Sequence, residues 1–136
     1  NTFFIDQYDD KIIITDYLGG VYKLAINDLK DDSIKIITPF VFKSNIAKVK
    51  VLDSLVHNEN LYISYISEKK DCNKLRIDVA KINSDFLKFE NFFNSNECSK
   101  FIQGGRMVFY KHASKDGLLF TTSSTVCEVF YVRSNG

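Results

Sequence analysis

Short apolar runs divided by polar breaks and glycines recur along the whole chain, and several alternate residue by residue as half-buried strands do. Asp10-Lys11-Ile12-Ile13-Ile14-Thr15 is followed by a turn at Leu18-Gly19-Gly20 and by the alternating Val21-Tyr22-Lys23-Leu24-Ala25-Ile26, which together predict a hairpin. Residues 27–33 read as a polar turn, and residues 34–37 as a third strand that stops before Pro39. Helix is not expected here, because β-branched residues crowd the preceding turn and glycine interrupts the pattern. Residues 49–56 predict an inner strand ending at His57-Asn58, followed by strands over residues 61–66, 75–80 and 86–90. A polar break over residues 68–73 and a turn at Asn83-Ser84-Asp85 separate them, so these strands form an antiparallel meander. The last region enters a strand over residues 101–110 through the pinch of Gly104-Gly105, turns over residues 114–117, and returns over residues 118–122.

One pattern occurs three times. Asp10-Lys11-Ile12-Ile13-Ile14-Thr15, Glu59-Asn60-Leu61-Tyr62-Ile63-Ser64 and Asp116-Gly117-Leu118-Leu119-Phe120-Thr121 share the order acidic, polar, three apolar, hydroxyl, and a further candidate strand follows each, near Val21, Leu75 and Val129. The spacings of 49 and then 57 positions lie near or slightly above the roughly 40 to 50 residues of a four-stranded propeller blade. The chain is therefore expected to be all-β, a single partial β-propeller domain of about two and a half four-stranded antiparallel blades. The expected units are a blade remnant over about residues 10–38, a complete blade over about 48–93 and a partial blade over about 105–133. A blade buries both faces against neighbours, so terminal blades expose apolar surface and strand edges. The expectation is a segment of a longer polypeptide whose remaining blades are partners; the alternative is a small self-contained β-sandwich.

Composition agrees with the strands. The 136 residues are 14% aromatic with 12 Phe, which suits pleated, half-buried surfaces, and a chain of this size can bury roughly two-thirds of its unfolded surface. With 18 Lys+Arg against 17 Asp+Glu, scattered singly or in pairs, there is no electrostatic footprint for nucleic acid or an anionic membrane. No apolar run approaches the ~20 residues of a membrane span, and the amino terminus lacks the basic and apolar regions of a signal peptide.

The cysteines follow from strand register. If residues 74–82 and 86–92 form a hairpin centred near Ser84-Asp85, opposed residues have numbers summing to about 169 or 170, which places Cys72 opposite Cys98. A disulfide there implies a periplasmic or secreted protein; the other reading is two unrelated reduced thiols. Cys127 is left as a buried strand residue.

Few residues offer chemistry. Three isolated Cys and two isolated His lack zinc spacing, and neither Gly104-Gly105 nor Gly19-Gly20 extends to a phosphate-cradling motif. The hydroxyls of residues 121–125 lack an evident base, with His112 the only nearby histidine, and read as a solvated strand end. Residues 27–32 lack the ligand alternation of a calcium loop and read as an exposed turn. Arg106, just after two glycines on the first strand of a blade, has two readings: a guanidinium near a central channel that holds an anionic ligand bidentately, or a lock on a neighbouring blade through carbonyls or a carboxylate.

At these residues the chain resembles the glucose/sorbosone dehydrogenase family, six-bladed propellers that include soluble sugar dehydrogenases using pyrroloquinoline quinone (PQQ). The resemblance covers about residues 11–122 and rests on the order of three segments: Ile-Ile-Thr-Asp-Tyr-Leu-Gly-Gly-Val-Tyr-Lys-Leu from Ile13, Leu-Val-His-Asn-Glu-Asn-Leu-Tyr-Ile-Ser from Leu55, and Gln-Gly-Gly-Arg-Met-Val-Phe from Gln103 with the later Asp-Gly-Leu-Leu-Phe-Thr-Thr. It implies oxidation of an aldose or related sugar with PQQ and calcium as cofactors, Gln103 and Arg106 lining the ligand pocket, and Gly105-Arg106 matching the Gly-Arg after the family's catalytic histidine. That histidine's position falls on Ile102, which cannot accept a proton, and a PQQ-holding glutamine falls near Lys48. Two expectations follow: a quinone-dependent dehydrogenase with its base supplied by another blade, or a catalytically silent exported propeller that binds a carbohydrate, peptide or protein.

Overall fold

The computed structural model describes residues 2–25, 38–41, 49–69, 72–82, 87–96, 98, 103–113, 115–123 and 127–133. Among them are eleven strands and no helix: β1 (Phe3–Tyr8), β2 (Lys11–Asp16), β3 (Gly20–Ala25), β4 (Thr38–Val41), β5 (Val49–His57), β6 (Asn60–Lys69), β7 (Cys72–Lys81), β8 (Glu90–Asn94), β9 (Gln103–His112), β10 (Lys115–Ser123) and β11 (Cys127–Arg133). They form three antiparallel meanders in chain order, β1-β2-β3-β4, β5-β6-β7-β8 and β9-β10-β11. The first strands of successive sheets lie beside one another, β1 against β5 and β5 against β9. The protein is thus all-β and propeller-like, with blade-type sheets meeting at their inner strands.

Local chemistry accounts for the hairpins. Tyr8 faces Lys11, His57 faces Asn60 and His112 faces Lys115 across tight turns. The first turn residue in each case is left-handed, with φ of 50° at Asp9, 53° at Asn58 and 48° at Ala113. Asp and Asn tolerate this region; Ala113 does so against its own preference. Asp16 organises the β2–β3 turn: its Oδ1 accepts the amides of Leu18 at 2.9 Å and Gly20 at 2.8 Å, and its Oδ2 accepts the Tyr22 hydroxyl at 3.1 Å.

Alternation divides the buried residues into two layers. Ile13 and Val21 of the first sheet pack against Val51, Leu61, Ile63 and Tyr65 of the second. From the opposite face of the second sheet, Tyr62, Leu75 and Ile77 pack against Met107, Leu118 and Phe120 of the third. Tyr62 also meets Phe109 edge-on, with ring centroids 5.0 Å apart. The Tyr65 hydroxyl, raised above its ordinary pKa by burial and by the Asp78 carboxylate, donates to Asp78 Oδ2 at 3.0 Å.

Several expected boundaries shift. The sequence reading opens the first sheet near Asp10, whereas β1 precedes it, because Phe3 to Tyr8 alternates and pairs along the whole of β2. The polar break over residues 68–73 is narrower: Glu68 pairs with Asn73 and Lys69 with Cys72, since the backbone ladder continues through polar residues. The fourth strand of the second sheet is β8, later than residues 86–90. The expected turn over residues 114–117 tightens around Ala113, so that Asp116 already lies within β10 opposite Lys111. The strand expected over residues 34–37, the polar turn containing residues 27–32, and Lys48 and Ile102 lie outside the described residues.

The β7–β8 register is as the sequence predicts, with Arg76 opposite Asn94, Ile77 opposite Phe93, Asp78 opposite Asn91 and Val79 opposite Glu90. Cys72 and Cys98 form a disulfide, with Cα atoms 4.7 Å apart.

Candidate functional site

The candidate site lies along the inner strands, and two bulges build it. In β5 the pairing shifts between Val51 and Asp53, so that Leu52 packs into the layer shared with the third sheet while the next residue, Asp53, also reaches toward β9. In β9 the pairing shifts opposite Thr121, where Gly104 and Gly105 carry φ of 105° and 79°. Only glycine takes this course readily: a Cβ on Gly104 would lie 2.7 Å from the Thr121 carbonyl oxygen, and one on Gly105 2.6 Å from Leu52 Cδ1. The expected pinch is therefore a bulge inside β9 that brings its backbone hard against the second sheet.

Side chains of the second sheet then seal the free edge of β9. Asp53 Oδ2 accepts the Met107 amide at 2.9 Å, and Asp53 Oδ1 accepts the Ser54 amide at 3.0 Å. The buried Ser64 hydroxyl donates to the Gly105 carbonyl at 2.6 Å. On the other side Ser54 donates to Asp6 of β1, so a polar line crosses all three inner strands. Burial raises the Asp53 carboxyl above its ordinary pKa, and Asp6 pushes the same way; the Met107 amide, Arg106 and the Ser54 amide oppose it.

Arg106 ends this line. Its Nη1 lies 3.6 Å from Asp53 Oδ1, yet its side chain is 76% exposed. The contact with a carboxylate of the neighbouring sheet is present, while most of the Arg106 side chain faces solvent. The backbone of Gln103 begins β9 opposite Ser123; its side chain lies outside the description. At the same end of the sheets, Lys50 Nζ stands 5.8 Å from the Tyr17 ring centroid, and the Val51 amide donates to the Tyr17 carbonyl at 2.9 Å. At the opposite end of β5, His57 stacks on Phe109 with centroids 3.7 Å apart and approaches Asp116 Oδ2 at 3.7 Å.

Asp53, Ser54 and Ser64 are absent from the sequence-derived site. Their signal is the adjacent polar pair Asp53-Ser54 inside an apolar strand, which breaks the alternation where the bulge occurs. Among the described residues no three His, Cys, Asp or Glu side chains converge to hold a metal ion. Both Asp53 oxygens already accept amides, and PQQ, a tricarboxylate, would meet one guanidinium beside a carboxylate. The described residues thus do not assemble a site for PQQ or calcium. No protein-family model, curated protein or solved structure matches the chain.

Proposed function

We propose that this chain is a non-catalytic, exported propeller unit that binds an anionic carbohydrate at the end of the inner strands where β5 and β9 begin. The observation that carries the reading is Arg106, held 3.6 Å from Asp53 on one side and 76% exposed on the other. An Arg serving only as an interior lock would bury its guanidinium. Here the donors turned away from Asp53 remain available for a planar carboxylate. Tyr17, partly exposed at the same end, offers a ring against which a sugar can pack. Export rests on the Cys72–Cys98 disulfide, which an oxidising compartment maintains.

Calorimetric titration with a uronate-bearing oligosaccharide tests the reading. Charge-assisted hydrogen bonds contribute about 1.5–3 kcal/mol, so Arg106→Ala is expected to weaken binding by about 10- to 100-fold at an unchanged melting temperature. Equal binding by both proteins, or none by either, defeats it. The resemblance of Gly105-Arg106 to the Gly-Arg of sugar dehydrogenases supports a second reading, a PQQ-dependent enzyme whose base and cofactor site come from other blades. A change in quinone absorbance on adding an aldose to folded protein with PQQ and calcium supports that reading, and its absence removes it.

A further inference from the structure

Arg106 stands between a buried carboxylate and solvent. Its Nη1 is 3.6 Å from Asp53 Oδ1, too far for a hydrogen bond, and the two side chains are 76% and 12% exposed. Asp53 therefore meets the guanidinium as a charge and not as a hydrogen-bond partner. Its oxygens are engaged by backbone instead: Oδ2 accepts the Met107 amide at 2.9 Å and Oδ1 the Ser54 amide at 3.0 Å. The carboxylate is thus fixed in place, and the cation beside it lies largely in water.

An anion that meets Arg106 from solvent brings a second negative charge to the guanidinium that Asp53 already faces. One cation then serves two carboxylates, and the like charges raise the affinity of Asp53 for a proton. The surroundings of Asp53 already act in that direction. Among the described residues, Asp6 of β1 adds a negative charge beside the shared Ser54 hydroxyl, Arg106 of β9 is the facing cation, and β6 turns the neutral Ser64 hydroxyl to the Asp53 carbonyl at 3.4 Å. Burial holds the Asp53 carboxyl above its ordinary pKa against both amides and Arg106. A negative charge bound at Arg106 offsets the one cation that opposes protonation. Once protonated, Asp53 keeps an acceptor oxygen for the Met107 amide, so the edge of β9 stays held while the competing charge is gone.

We infer that Asp53 is the proton-linked regulator of the Arg106 site: an anionic carbohydrate bound at Arg106 brings a proton onto Asp53, and acidification tightens binding. This rests on the reading of that end of the sheets as an anionic-carbohydrate site. The proton passes from solvent to an Asp53 carboxylate oxygen, and Arg106 exchanges the charge of Asp53 for that of the ligand. By reciprocity, the ligand raises the proton affinity of Asp53 by the same factor as the proton raises the affinity for ligand, and such couplings run to about 5- to 150-fold.

Calorimetric titration with the uronate-bearing oligosaccharide at pH 7.5 and pH 5, in buffers of different ionisation enthalpy, tests this. The ligand's carboxylate, with an ordinary pKa below about 4, stays ionised at both. Wild type is expected to bind at least about fivefold more tightly at pH 5 and to take up protons on binding. Asp53→Asn is expected to bind more tightly than wild type at pH 7.5, to gain little at pH 5 and to take up no proton. That variant keeps both histidines of the chain, so the comparison isolates Asp53. Asp6→Asn removes the charge that helps protonate Asp53, and its curve of affinity against pH is expected to move to lower pH; it carries the test if circular dichroism shows Asp53→Asn unfolded. Affinity that is level with pH, tightening that is equal in wild type and Asp53→Asn, or an unmoved curve in Asp6→Asn leaves the anionic-carbohydrate reading standing and overturns the inference. No binding at either pH defeats that reading and removes the inference with it.

Discussion

The carboxylate of Asp53 accepts the backbone amide of Met107 at 2.9 Å although the two residues belong to different sheets. Met107 lies on the free edge of β9, where an amide facing inward has no strand to pair with, and Asp53 is aimed at it by the β5 bulge. Replacing Asp53 by Ala leaves that buried donor unsatisfied and should cost about 1–3 kcal/mol. Asp53→Asn retains an acceptor oxygen and should cost less. Urea denaturation of both variants checks the order, and an Ala variant as stable as wild type would show that the amide finds another partner.

The charge on Asp53 has its own pH signature. Desolvation raises its carboxyl above the ordinary 3.8, outweighing the Met107 amide, Arg106 and the Ser54 amide. Between 3.8 and the raised value the folded state keeps a proton that the unfolded chain has released, so this group's contribution is full below 3.8 and is lost as pH rises through the folded value. Asp53→Asn has no such proton. The stability of wild type relative to Asp53→Asn should therefore fall as pH is raised from acid toward neutrality, then level off. A difference that grows with pH would mean that pairing with Arg106 outweighs burial.

The glycines of the β9 bulge should be intolerant of any side chain. At Gly104, with φ of 105°, a Cβ would press on the Thr121 carbonyl oxygen, which is backbone and cannot swing aside; at Gly105 it meets first the flexible end of Leu52. Strain in a left-handed residue costs of order 1–3 kcal/mol. Gly104→Ala is expected to lose at least this much, and more than Gly105→Ala. Thermal melts of the two variants rank them.

The Cys72–Cys98 bond spans a sequence separation of 26 residues and ties the start of β7 to the connection leading into β9. A loop of that length gives about 3.5 kcal/mol of stabilisation through the unfolded chain. Reductant, or Ser at both positions, should lower the denaturation midpoint accordingly, while Cys127→Ser should not reproduce that loss. Reduction without effect on the midpoint would show that the sheets hold this connection unaided.

How much of this was legible in the sequence depends on the kind of interaction. The β7–β8 register could be read because the turn centred near Ser84-Asp85 fixes which residues oppose one another, and Arg76 opposite Asn94 and Val79 opposite Glu90 fall where the numbering places them. The glycine pair at 104–105 was legible as a backbone irregularity. Its partner bulge in β5 was not: Asp53-Ser54 looks like a lapse in an apolar strand until the third sheet is beside it. Likewise β1 was not legible, since Phe3, Phe4 and Ile5 form an unbroken apolar run in sequence and the alternation of Phe3 to Tyr8 shows only in burial. Arg106 stood out by its position after two glycines, but its exposure follows from the sheet edge, a tertiary property.

Ser64 offers the sharpest test of whether the β9 edge is held as one unit. Its hydroxyl is buried and donates to the Gly105 carbonyl at 2.6 Å, two residues from the amide that Asp53 holds. Removing it in Ser64→Ala strands a carbonyl between two packed sheets, with an expected loss of about 1–2 kcal/mol. If Asp53 and Ser64 clamp the same backbone, the first substitution loosens what the second would have broken. The double variant Asp53→Ala/Ser64→Ala should then lose less than the two single losses combined, by about 0.5 kcal/mol or more. Strict additivity in a denaturation cycle would mean that the two bonds act on independent parts of β9, and that the bulge is set by glycine geometry alone.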